Sequence, residues 1–137
     1  MGTSIACIIY NNENSKILVA LRNPTGDMGN RWEFPGGKVD AGENDEQAIV
    51  REMSEEFGVK ASVGEKIVSS TFTHKEKLCY LNAYMVTLEH DGLSKRFNLT
   101  EHQDYKWIDP KEIPSLSFVD SDLKIYPEVM KYLEKLK

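Results

Sequence analysis

The sequence predicts an α/β protein, an α/β/α sandwich in which a mixed β-sheet lies between helices. Three observations point there. Isoleucine-rich, strand-like runs open the chain, one sharply delimited helix follows near residue 45, and more strand pattern leads to a final amphipathic helix. The 137 residues suffice for one domain with a real core, and no repeat, low-complexity stretch or linker divides them.

In order, Ser4 to Tyr10 reads as a buried strand, Asn11 to Asn14 as a turn, and Lys16 to Leu21 as the returning strand. A Gly/Pro-bearing loop from Asn23 to Asn30 precedes the short extended run Trp32-Glu33-Phe34, and Pro35-Gly36-Gly37 breaks regular structure. The next element has the strongest local signals. Asn44 suits a helix cap, with Gln47 in the capping-box position and Asp45 and Glu46 placed for the helix dipole. Gly58 suits the left-handed end of that helix, and Ile49, Met53 and Phe57 share one face. Strands are expected at Lys66 to Phe72 and Leu78 to Leu88, then a loop from Glu89 to Gln103 and a short strand around Tyr105 to Trp107. A turn near Pro110 leads to the last helix, Asp122 to Leu136.

Hydrophobic residues at 40% and charged residues at 28% describe an ordinary soluble globular protein. The net charge of -5 argues against a nonspecific nucleic-acid binder. An acidic chain that handles polyphosphates needs cations between itself and its substrate. Cys7 and Cys79 lie in apolar stretches without C-x-x-C spacing, which suggests core packing. No apolar run reaches membrane-spanning length and no signal-peptide core is visible, so the expected compartment is the cytoplasm.

On the central helix Glu52, Glu55 and Glu56 occupy one arc at i,i+3 and i,i+4 spacing. Like charges so placed destabilise a bare helix, and in a cleft they must take up protons or a cation. Taken alone they fit a solvated acidic face better than a metal site. As ligands they are hard oxygens, suited to Mg²⁺ or Mn²⁺.

The surrounding pattern decides between the two. From Gly37, five residues lead to Glu43, and seven more to Arg51-Glu52-Met53-Ser54-Glu55-Glu56-Phe57-Gly58-Val59. This resembles the Nudix box, G-x5-E-x7-R-E-U-x-E-E-x-G-U, with every fixed position filled. The resemblance implies hydrolysis of a nucleoside diphosphate linked to another moiety. It implies Glu52 and Glu56 as principal metal ligands, Glu55 and the Gly36 carbonyl as further ones, and Arg51 as the residue orienting the carboxylates. Gly36 and Gly37 would let backbone approach metal and phosphate, and Glu43 would brace the loop.

Trp32 to Lys38 resembles the MutT-like nucleoside triphosphate pyrophosphohydrolases, which act on oxidised dGTP or cytosine nucleotides and release pyrophosphate. That likeness makes Arg22, Gly37 and Lys38 phosphate-binding candidates, although Arg22 also reads as a surface arginine ending a strand. It makes Glu101 a further metal ligand or the general base, against an ordinary loop glutamate. Asp122 would read the base edge or cap the last helix. Phe72 and Tyr80 would form an aromatic base platform or pack in the core. An ionised Asp122 only accepts hydrogen bonds, which favours bases carrying an amino group. His102 is expected to shape its loop, and His74 and His90 to have no role at the site. The expected partner is a nucleotide, with no nucleic-acid polymer or membrane, for a monomer or homodimer. ADP-ribose, dinucleoside polyphosphates, or sensing without hydrolysis are the alternative readings.

Overall fold

Strand β1 (Gly2–Ile8) sets the architecture through its alternation. Ile5 and Cys7 face one apolar cluster while Ala6 and Ile8 face another, and all four are buried. Strand β3 (Lys16–Arg22) does the same, with Leu18 and Ala20 on the first side and Ile17 and Val19 on the second. A strand apolar on both faces must be covered on both. Helix α1 (Asp45–Phe57) covers the first face through Ala48, Ile49, Met53 and Phe57. Helix α2 (Asp120–Lys135) covers the second through Ile125, Val129 and Leu133. The expected α/β/α sandwich is present.

The computed structural model describes residues 2–89, 96, 97 and 99–136. Residues 90–95 and 98 of the loop expected over Glu89 to Gln103, His90 among them, lie outside the described residues. The remaining elements are β2 (Tyr10–Asn11), β4 (Trp32–Glu33), β5 (Gly36–Lys38), β6 (Ala61–His74), β7 (Lys77–Leu88), β8 (His102–Ile108) and a 3-10 helix at Pro110–Ser115. They form two four-stranded sheets where the sequence suggested one. The first runs β5-β1-β7-β6 with β1 and β7 parallel; in the second β3 pairs with β2, β4 and β8.

Three local features position the site. The Asn44 side chain accepts from the Gln47 N–H at 2.8 Å and the Gln47 side chain accepts from the Asn44 N–H at 2.9 Å, the expected capping box. Gly58 ends the helix at φ 67°, where a Cβ would be strained. Asp45 accepts from the Tyr84 hydroxyl at 2.6 Å and from Asn82 Nδ2 at 2.9 Å, which moors the helix start to β7.

Gly36 and Gly37, expected to interrupt the chain, instead pair in β5 with Ala6 and Ile5 of β1. Glycine permits this approach because a Cβ on Gly36 would lie 2.0 Å from the Ile5 carbonyl oxygen. Helix α2 starts at Asp120, two residues before the expected position, and its N-cap is Val119. The Trp32 N–H donates to Ser117 O and the Val119 N–H to Trp32 O, so the helix start is held against β4. Among the described residues no helix is long and apolar enough to cross a membrane.

Candidate active site

A cavity of about 1070 Å³ gathers residues from both helix layers: Glu52 and Glu56 of α1, Asp122 of α2, and Gly36, Gly37 and Lys38 of β5. Arg22, Phe72 and Glu101 also line it. Nine of the eleven residues predicted from sequence for metal, phosphate or base contact are therefore brought together here, namely Arg22, Gly36, Gly37, Lys38, Glu52, Glu56, Phe72, Glu101 and Asp122.

The α1 carboxylates are held in opposite ways. Arg51 donates to both oxygens of Glu43, at 2.7 and 2.9 Å, and to Glu52 Oε1 at 2.7 Å. It also reaches the Lys38 carbonyl at 3.0 Å. The charge-assisted pair with Arg51, helped by the Asp40 N–H, holds the Glu43 carboxyl well below the usual carboxylate range. Glu43 thus braces the loop to the helix, as expected, and Glu52 is oriented by the same guanidinium.

Glu56 has no such help. It is buried, and among the described residues its Oε2 has no hydrogen-bond partner. Burial, then the neighbouring Glu52 carboxylate and then Glu101, push its proton affinity far up. The acidic set is short of positive charge. Among the described residues no three His, Cys, Asp or Glu side chains close into a metal cage by themselves. Mg²⁺ needs no such cage, because it keeps waters and takes phosphate oxygens as ligands. The unpartnered buried Glu56 oxygen and the all-oxygen donor set fit a divalent cation. So does the close backbone: a Cβ on Gly37 would lie 2.6 Å from Glu52 Cδ.

Two predicted residues stand apart. Glu55 is mostly exposed, accepts from Arg51 at 3.3 Å, and does not line the cavity. Tyr80 is a correction. It lies opposite Thr3 and Thr71, one residue out of phase with the cavity-lining Leu81 and with Cys79, the partner of Phe72. Successive strand residues point to opposite faces, so Tyr80 and Phe72 cannot form one platform. Phe72 remains on the cavity side.

Asp122 is also read differently. It caps nothing; its Oδ2 accepts from the Phe34 N–H at 2.9 Å, and the side chain is buried. Burial, with the Glu33 charge adding, pushes its pKa up to about 8 against the smaller opposing pulls of the Phe34 N–H and Arg22. At neutral pH it carries a proton, contrary to the expected ionised form.

Glu33 and His102 are the residues that sequence reasoning left without a role at the site. Glu33 Oε1 accepts from Arg22 at 3.1 Å and Oε2 lies 2.8 Å from His102 Nε2. A carboxylate only accepts, so Nε2 carries a hydrogen, and Nδ1 is buried with no partner among the described residues. The available signal was a glutamate between Trp32 and Phe34 in a short strand, and a histidine beside the loop glutamate.

Comparison with known proteins agrees with this geometry. The NUDIX domain matches residues 2–129. The chain is 34% identical over 126 residues to the CTP pyrophosphohydrolase of Escherichia coli, covering 92% of this chain and 89% of that one. It is 31% identical over 121 residues to the 8-oxo-dGTP diphosphatase of Haemophilus influenzae, covering 88% and 86%. The solution structure of the E. coli ORF135 protein superposes with a TM-score of 0.80 at 30% identity, over 96% of this chain and 89% of the other. Matched in sequence and fold along most of its length, the chain belongs to the Nudix hydrolase family.

Proposed function

We propose that this protein hydrolyses a nucleoside triphosphate to a nucleoside monophosphate and pyrophosphate with the aid of Mg²⁺ or Mn²⁺. The observation that carries the reading is the buried Glu56 carboxylate, one oxygen of which has no partner among the described residues, beside Glu52 and Glu101 in this cavity. The relatives named for CTP and 8-oxo-dGTP support the substrate class. Glu52, Glu56, Glu101 and the Gly36 carbonyl would hold the cation, with Glu55 at the rim. When bound, the cation supplies neutralisation of phosphate charge and a water acidified for attack on phosphorus.

The chain's own residues do the rest. Arg51 fixes the Glu52 carboxylate and Arg22 and Lys38 offset phosphate charge. Glu101, the exposed member of the set, has the solvent access that a proton acceptor needs. A panel of 8-oxo-dGTP, dGTP, CTP, dCTP, UTP, ADP-ribose and diadenosine tetraphosphate in ¹⁸O-water tests the reading. Label in the products of a nucleoside triphosphate split into monophosphate and pyrophosphate is expected. Orthophosphate as the first product, or no turnover of any triphosphate, overturns it.

Asp122 is proposed to read the base edge. A protonated carboxyl offers an O–H beside an acceptor, which suits cytosine and guanine edges and also uracil. Ionised, it only accepts, and the uracil carbonyls then oppose it while the cytosine amino group still donates. Preference for CTP over UTP should therefore rise as pH passes about 8, by about tenfold or more if one charged hydrogen bond is at stake. Asp122→Asn, which mimics the neutral acid, should keep the neutral-pH ranking and lose that rise. The linkage has a fixed sign: a carboxyl raised from 3.8 to about 8 by folding costs stability as pH climbs through that window. The Asn variant should flatten this slope in thermal melts. An equally pH-dependent preference in the variant would exclude Asp122 as the reader.

A further inference from the structure

Glu101 is exposed, yet both of its neighbours are fixed. Thr100 Oγ1 donates to the Glu55 carbonyl at 3.1 Å, which ties the approach to β8 onto the end of α1. His102 is held more firmly: its side chain is only 3% exposed and its ring stacks on the buried Phe57 of α1 at 5.6 Å and 26°. Strict alternation would not put it there. Tyr105 and Trp107 pack on the α1 side, so Gln103 would follow them to that face. The ladder slips between Leu21 and Arg22, and Arg22 pairs with His102 instead. Such a bulge re-aims a side chain. Gln103, displaced, donates to the Arg22 carbonyl and to Asn30 Oδ1, each at 2.7 Å.

The result is that Arg22 and His102 lie side by side across two strands, and Glu33 of β4 serves both. One of its oxygens takes Arg22 NH1 and the other takes His102 Nε2, with only 17% of the side chain exposed. Glu33 stands three residues before Gly36. Its two bonds therefore join the arginine proposed to face phosphate, the strand that begins one residue after Glu101, and the segment that would supply the backbone carbonyl of the site.

We propose that Glu33 and His102 are positioning residues of the hydrolytic site: a shared brace that sets the Glu101 carboxylate and Arg22 in place. The proposal rests on the cation-assisted reading above and adds to it. Neither residue needs to touch cation or phosphate. Partners that orient metal-binding side chains typically carry about ten- to a hundredfold in affinity or activity. The brace should act as one unit, because cutting either end frees the same strand.

The test uses Glu33→Gln, His102→Phe and the double variant, each checked by circular dichroism and melting. Phenylalanine keeps the stack on Phe57 and removes only the donor. Two readouts are taken: the affinity of the nucleotide-free protein for Mn²⁺ alone, and kcat and KM on the best nucleotide of the panel. Each single variant should weaken Mn²⁺ binding and lower kcat by about tenfold, and the double variant should be no worse than the worse single. Glu33→Gln should also raise KM, since Arg22 loses its charged partner and must share the one remaining acceptor oxygen with His102, while His102→Phe leaves KM near wild type. Unchanged Mn²⁺ affinity and kcat in folded variants, or effects that simply multiply in the double variant, overturn the brace and leave the hydrolytic reading standing. A wild type that hydrolyses nothing but loses Mn²⁺ affinity in these variants overturns the hydrolytic reading and leaves the brace.

Discussion

Glu56→Gln is expected to remove hydrolysis while leaving the protein as stable as before, or more so. The side chain is buried with one oxygen unpartnered, and two nearby carboxylates raise the cost of its charge. Glutamine has the same shape and no charge to bury. Folding of the metal-free protein therefore loses nothing at this position. The hydrolytic site loses a charged oxygen ligand, which should lower turnover by roughly a thousandfold, or about 4 kcal/mol of barrier. The check pairs a turnover assay at saturating Mg²⁺ with a melt in EDTA. Activity within tenfold of wild type would remove Glu56 from the cation-binding set, and a large drop in melting temperature would show that its carboxylate is a structural contact.

The adjacent glycines should respond very differently to the same added methyl group. In Gly36→Ala the new Cβ meets main chain, 2.0 Å from Ile5 O and 3.0 Å from Ile5 C, inside the β1–β5 pairing. Backbone cannot step aside without breaking the ladder, and φ at this residue is +156°. Loss of about 3 kcal/mol or more is expected, which approaches the whole stability of many domains. In Gly37→Ala the three atoms nearest the Cβ all belong to the Glu52 carboxylate, at 2.6 to 2.8 Å. That group is the end of a side chain and can swing away, at the cost of its bond from Arg51. Gly37→Ala should fold and melt near wild type but lose about a hundredfold in activity, the scale of a misplaced reactive group. Urea unfolding and turnover on the two purified variants distinguish the outcomes. If both only lower activity, the close β1–β5 approach is not what demands glycine at Gly36.

The features legible in the sequence are those whose physics is local. The α1 limits followed from Asn44, Gln47 and Gly58, because caps act over three or four residues and ask nothing of the rest of the chain. The spacing from Gly37 through Glu43 to Arg51 and the glutamates was equally readable, since helix periodicity alone puts Glu52 and Glu56 on one side. Base-facing residues were less secure. Tyr80 looked as good a platform as Phe72, and only the register of β6, β7 and β1 shows that the two face opposite ways.

What the tertiary structure alone decided are contacts between residues far apart in the chain. Asp122 carries a proton because folding buries it against the Phe34 N–H, 88 residues away, near the charge of Glu33. Sequence assigned it the ordinary ionised form, since desolvation depends on neighbours no local window contains. His102 reaches Glu33 across 69 residues through a one-residue slip in the ladder, which reverses the face each side chain takes. Hydrophobic alternation, caps and motif spacing are written along the chain and determined the sandwich, the glutamate helix and the family. Burial, protonation and strand register arise only when distant segments meet, and they determined which of the candidate side chains share the site.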